Sequence, residues 1–213
     1  GGTVWAGVSL GNAGVSSGEY LLADGRLESS TMHVSNGRLV QTGGVLSGSG
    51  DYVMLGTTPG FVGSYELSGG RVEGIDFRVG YDQFEGRIVQ TGGVNAADGI
   101  ALGYLREKAV YELRGGTVDA GVSLGSTGES LFTQSGGMLM GNMTVACTQF
   151  SKGVFRFTGG TIDVDSINLA SFGDPEAGEG RMELLDPGAS ISIRKNLTLG
   201  RGGTLAAAPG TTI

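Results

Sequence analysis

Glycine pairs recur along this 213-residue chain at nearly constant spacing, and each closes a short run of alternating apolar and polar residues. The pairs are Gly43-Gly44, Gly69-Gly70, Gly92-Gly93, Gly115-Gly116, Gly136-Gly137 and Gly159-Gly160, with second glycines 26, 23, 23, 21 and 23 residues apart. A fixed period of this size with one hydrophobic stripe per unit predicts a solenoid, because a unit that short cannot bury its apolar face alone. The repeat therefore predicts one domain over residues 1–213, grown by stacking rungs.

Glycine makes up 43 of the 213 residues, far above the usual ~7%. A collagen is excluded, since there is no Gly-X-Y step and only 4 prolines. Disorder is disfavoured because 39% of the residues are hydrophobic and they are placed periodically. Net charge is −7, and no Lys/Arg run is longer than Arg194-Lys195. A nucleic acid would require a basic stripe and an anionic membrane surface a polybasic patch, so neither partner is expected. No stretch of 18 apolar residues predicts insertion into a bilayer. The chain opens mid-pattern at Gly1-Gly2-Thr3-Val4 without a Met, which leads us to expect a window of a longer rod or a filament subunit. Cys147 is the single cysteine, and the run Met143-Thr144-Val145-Ala146-Cys147 predicts it as a small core residue in phase with Met143 and Val145.

Aligned on the glycine pairs, each unit shows two strand-like pieces. One precedes the pair, as in Tyr65-Glu66-Leu67-Ser68 and Phe155-Arg156-Phe157-Thr158. The other follows it and tends to end in Gly, as in Ile100-Ala101-Leu102-Gly103 and Val122-Ser123-Leu124-Gly125. Alternation turns Tyr65 and Leu67 to one face and Glu66 and Ser68 to the other. Stacked in parallel, such pieces bury their apolar faces against the copies above and below, with glycines at the sharp corners. The expected fold is all-β, a single-stranded parallel β-helix of about nine rungs, right-handed because parallel crossovers almost always are.

A second periodicity doubles the repeat. Two residues before each pair the chain alternates Gln41, Leu67, Gln90, Leu113 and Gln134. These glutamines are predicted to lie inside the coil and bond to corner backbone, since an unpaired buried amide costs about 1–3 kcal/mol. Four residues before each pair, Leu39, Tyr65, Ile88, Tyr111, Phe132 and Phe155 predict a continuous interior column.

The units Ser64-Tyr65-Glu66-Leu67-Ser68-Gly69-Gly70 and Leu131-Phe132-Thr133-Gln134-Ser135-Gly136-Gly137 resemble the alternating YxLSGG and FTQSGG repeats of large secreted bacterial proteins. Many of those proteins carry a PEP-CTERM sorting signal, and related repeats occur in autotransporter-like passengers. The resemblance covers roughly residues 1–205 and implies an extracellular or cell-surface β-solenoid. It brings no catalytic residues with it.

Three features are candidates for chemistry. Asp163 and Asp165 alternate on Thr161-Ile162-Asp163-Val164-Asp165, and two acids on one strand face lie ~7 Å apart, a separation that glycosidases use. Asp174, Glu176 and Glu179 lie close together in a glycine-rich loop, and Ca²⁺ is the ion such a loop would take, although neither the EF-hand nor the calcium-roll spacing is present. Tyr81 and Tyr104 follow equivalent corner glycines on consecutive rungs and could form a platform for sugar rings. His33, the only histidine, is phased outward between Met32 and Val34, so neither a histidine metal cluster nor a Ser-His-Asp triad is expected.

No amphipathic helix covers either end of the repeat, so a bare strand edge is expected at both. The leading expectation is a structural element of a fibre, sheath or surface stalk, stacking end to end and acting without a cofactor. A polysaccharide-binding adhesin module is the first alternative, and a β-helical polysaccharide lyase or glycosidase the second.

Overall fold

A computed structural model describes residues 2–11, 16–81, 84–104, 108–148, 150–170 and 178–213. Among the described residues there is no helix, and the strands stack in parallel into two sheets, one of nine strands and one of thirteen. In the nine-stranded sheet, Tyr20, Leu39, Tyr65, Ile88, Tyr111, Phe132, Phe155, Met182 and Leu205 are successive register partners, so a turn takes 19 to 27 residues. These strands bound about eight turns of a β-solenoid with a period near 23 residues.

Each turn holds three strand segments rather than the two expected. After a glycine corner, a third segment such as Val94–Ala96 or Thr117–Asp119 joins the thirteen-stranded sheet. Such segments are only 3 residues long, too short to show alternation. In other turns the second and third segments merge into one bent strand, and the register shifts within Val45–Leu55, Met138–Val145 and Thr161–Leu169. A bulge there bends one strand around a corner that other turns make with a break.

The corners explain the glycine pairs. At Gly115 a Cβ would sit far inside van der Waals contact of the Thr91 carbonyl oxygen on the preceding turn. Gly116 has φ +78°, the left-handed region, and a Cβ there would lie 2.5 Å from the Gly93 oxygen. Steric exclusion thus sets the first glycine and backbone conformation the second.

Inside the coil the expected column forms. Tyr65, Tyr111, Phe132 and Phe155 are fully buried, with the Tyr111 and Phe132 rings stacked at 4.7 Å and 10°. Each such side chain contributes roughly 1.5–3 kcal/mol on leaving water. Gln41, Gln90 and Gln134 are also fully buried. The Gln90 amide donates to the carbonyls of Gly93 at 3.3 Å and Thr117 at 2.9 Å, and Gln134 repeats this to Gly137 and Thr161 at the same two distances. Gln41 donates to Gly44 and Arg71. The carbonyl side completes the double repeat, because the Tyr65 hydroxyl donates to Gln41 Oε1 and the Tyr111 hydroxyl to Gln90 Oε1. Gln134 would be served from the position of Phe155, which has no hydroxyl, and its Oε1 is without a partner among the described residues.

Cys147 corrects an expectation. The strand ends at Val145, and Ala146 turns the chain with φ +61°. In the preceding turn that place belongs to Gly125, which has φ +64°. The turn breaks the alternation, so Cys147 is half-buried beyond the strand instead of lying in its core column. Burial pushes its thiol pKa up, against hydrogen bonds from Ser123 and Ser126.

Outward-facing charges pair between turns. Arg38 bridges Glu19 and Glu66, and Arg87 reaches Glu112 on the next turn. The arginine contacts hold Glu66 and Glu73 below the usual glutamate range. For such groups the ionised form favours the folded state, so their contribution is complete above pH ~4.5 and disappears as pH falls through the depressed values. The urea midpoint is therefore expected to drop as pH is lowered from ~5 to ~3, and to drop less in high salt. These pairs are largely exposed, so the slope should be shallow. A midpoint that rises over that interval would show that the pairs are not linked to folding.

Candidate functional site

The outer face of the thirteen-stranded sheet carries the strongest concentration of binding groups. Successive turns place Met54, Arg78, Ala101 and Ser123 in one outward column, and Tyr52, Asp76, Gly99 and Gly121 in the column beside it. Each is outward because it alternates with core residues such as Val53 and Leu55 or Phe77 and Val79, and Met54, though covered, lies outside that core. Just beyond these strands the chain turns at Gly80 and Gly103, and the next residues are Tyr81 and Tyr104.

Tyr81 and Tyr104, the pair expected from sequence, stack with ring centroids 5.5 Å apart and planes 16° from parallel. The structure adds two partners. The Arg78 guanidinium lies 4.1 Å from the Tyr52 ring centroid and 5.1 Å from that of Tyr104, within cation–π distance of both. Tyr52, Arg78 and Tyr104 come from three consecutive turns, so the cluster runs along the rod axis. Sequence reasoning passed over Tyr52 and Arg78 because the 26-residue rung from Gly44 to Gly70 hides their register. Their outward phase between buried neighbours was the available signal.

Two hollows flank the stack. One, of about 200 Å³, is floored by the small residues Gly99, Ala101, Gly121 and Ser123 and edged by Asp76, Arg78 and Tyr104. Burial pushes the Asp76 carboxyl above the ordinary aspartate value, Asp98 adds to the effect, and Arg78 opposes it. The other hollow, of about 420 Å³, lies toward the N-terminal turns and is lined by His33, Ser35, Thr57, Thr58 and Tyr81 among others. This places the half-buried His33 beside hydroxyl groups, facing outward as expected from its phase.

The other sequence candidates lie elsewhere. Asp163 and Asp165 share the strand Thr161–Leu169, and Asp165 occupies the register shift that turns its corner. Arg194 on the next turn binds both, at 2.6 and 3.1 Å, and Lys195 binds Asp165 at 2.8 Å. Hydrogen bonds from Lys195 and Arg194 hold Asp165 below the ordinary aspartate value. That is opposite to the raised value a general acid requires. Asp174 and Glu176, two of the three acids proposed for Ca²⁺, fall outside the described residues. Glu179, the third, is exposed and lies 3.9 Å from the Lys152 ammonium. Among the described residues no group of three or more His, Cys, Asp or Glu side chains is placed to hold a metal ion. No described helix is long and apolar enough to cross a membrane.

Comparison of the chain with protein-family models, with curated proteins and with solved structures finds no match.

Proposed function

We propose that this chain is a structural β-solenoid, a segment of an extracellular fibre, sheath or cell-surface stalk that is extended by end-to-end stacking. One observation carries the reading. The hydrophobic side chains packed against the core but only partly buried are Val8, Leu10 and Tyr20 at one end of the rod and Ile193, Leu197 and Leu205 at the other. Equivalent positions on the turns between are closed over by the next rung. Each end of the described rod therefore presents an apolar face that one further rung, of a longer chain or of a second copy, would cover.

The backbone tells the same story. Among the described strands, Thr3–Trp5, Val8–Leu10 and Gly18–Leu22 pair on one side only, as does Gly203–Ala207 at the far end. Residues after Ala207 do not fold back as a cap. Thr212 bridges to Ser190, continuing the coil and leaving Ile213 exposed. Parallel edges with free N–H and C=O groups template a further parallel strand. A second copy seated head to tail would set Tyr20 on the Leu205 column and Val8 on the Leu197 column. That contact is heterologous and does not close on itself, so it grows into a filament. The likeness of the Tyr-x-Leu-Ser-Gly-Gly units to secreted bacterial repeats supports an extracellular setting.

Electron microscopy of the purified chain across a dilution series tests the stacking. Unbranched fibres of one-coil width, shortening on dilution, are expected. The exposed edge residues Val4 and Leu199 can be changed at little cost to the fold, and Val4→Lys or Leu199→Lys should convert fibres to short rods. Monodisperse short rods at every concentration of the unmodified chain would overturn end-to-end stacking.

A further inference from the structure

We propose that the flank of the rod around Arg78 is a binding site for a linear, carboxylate-bearing polysaccharide, with a uronic acid residue held by the Arg78 guanidinium. The site does not depend on whether the ends of the rod stack, since it is built within the turns that contain Tyr52, Arg78 and Tyr104.

Arg78 differs from the other arginines on the described strands. Every other arginine on a described strand is ion-paired with a carboxylate. The Arg78 side chain has neither an ion pair nor a hydrogen bond among the described residues; the Tyr52 and Tyr104 rings hold it instead. Ring contacts fix the plane of a guanidinium without consuming its five N–H donors. A planar donor fork held rigid and left unsatisfied matches a carboxylate bidentately.

The surroundings specify a sugar around that carboxylate. The hollow beside Arg78, of about 200 Å³, is below the ~300–1,000 Å³ of a drug-sized pocket and suits one ring-sized unit. Its floor is made of Gly99, Ala101, Gly121 and Ser123, so a ring can approach the sheet closely. Asp76 at the edge accepts hydrogen bonds from sugar hydroxyls, and Ser123 can donate or accept. Across the Tyr81–Tyr104 stack lies the second hollow with its serine and threonine hydroxyls. The two hollows lie along the rod axis, where turns succeed one another every ~4.8 Å, so a linear polymer would occupy both with the tyrosine stack between.

The test is titration calorimetry of the intact chain with oligogalacturonate and oligomannuronate, and with the methyl ester of whichever binds. At least one acid form is expected to bind, weakening as salt is raised. Esterification should weaken it about tenfold or more, and Arg78→Gln should cost the same, since each removes a charge-assisted pair. Gly121→Trp provides a second variant that leaves Arg78 in place. A Cβ at Gly121 meets nothing within 4 Å, so the fold tolerates the change while the indole fills the hollow and abolishes binding. Failure of both acid probes to bind, equal affinity for ester and acid, or undiminished binding by Arg78→Gln with an unchanged melting temperature would overturn the proposal. Preference for a sulfated neutral glycan over both uronates would overturn the carboxylate assignment.

Discussion

Replacing Gly115 with alanine is expected to destabilise the rod by about 3 kcal/mol, the upper end of what overpacking costs. The added methyl group would drive into the Thr91 carbonyl oxygen of the turn beneath. That oxygen cannot withdraw freely, because the neighbouring ladder bond from the Arg114 amide to the Gln90 carbonyl, at 2.8 Å, ties the same two turns together. Gly116→Ala adds to a similar clash the ~1–2 kcal/mol that a side chain loses in the left-handed region. Gly121→Ala is the internal control. It lies on the strand Gly121–Leu124 with open space at its Cβ position and no positive φ. There the change should be neutral, or stabilise by about 0.4–1 kcal/mol through the unfolded chain. Urea midpoints of the three variants decide the matter, and equal midpoints for Gly115→Ala and Gly121→Ala would refute steric exclusion at the corner.

The second large effect comes from the buried glutamines and has opposite signs on two turns. Tyr111→Phe should cost about 2–5 kcal/mol, because it strips the donor from Gln90 Oε1 and the acceptor from Asn95 Nδ2, both fully buried. Phe155→Tyr should instead gain about 1 kcal/mol, since Gln134 Oε1 already lies buried without a partner among the described residues. The comparison is fair because the two sites share a register. Tyr111, Phe132 and Phe155 are stacked partners, and the two glutamine amides make corner bonds of equal length. Thermal or urea denaturation of both variants reads the signs directly. If Phe155→Tyr destabilised the rod, the hydroxyl would have no room, and the glutamine–tyrosine pair would not be the unit of the double repeat.

The stacked fold was legible because it depends on composition repeated at a fixed interval. A glycine pair every ~23 residues, an interior column beginning at Leu39 and Tyr65, and glutamines on alternate turns each state a local need that any copy of the rung must meet. Corner sterics, core burial and amide satisfaction follow from single residues and their near neighbours. The amino-acid sequence by itself therefore determined the solenoid, its glycine-pair corners and the inward face of the two alternating strand pieces.

What it could not determine was set by register between turns of unequal length. Tyr52 meets Arg78 only because the longer turn absorbs its extra residues at the corner within Val45–Leu55. Asp163 and Asp165 meet Arg194 only because both turns bulge at the same corner. Cys147 leaves the core because Ala146 adopts a left-handed turn at a place where the preceding turn has glycine. In the first two cases the deciding contact joins residues on successive turns, and a shift of a single residue would send the side chain to the other face. The tertiary structure decides these cases because an insertion at a corner moves every later outward residue relative to the turn beneath it. The inward residues are held in line by the core.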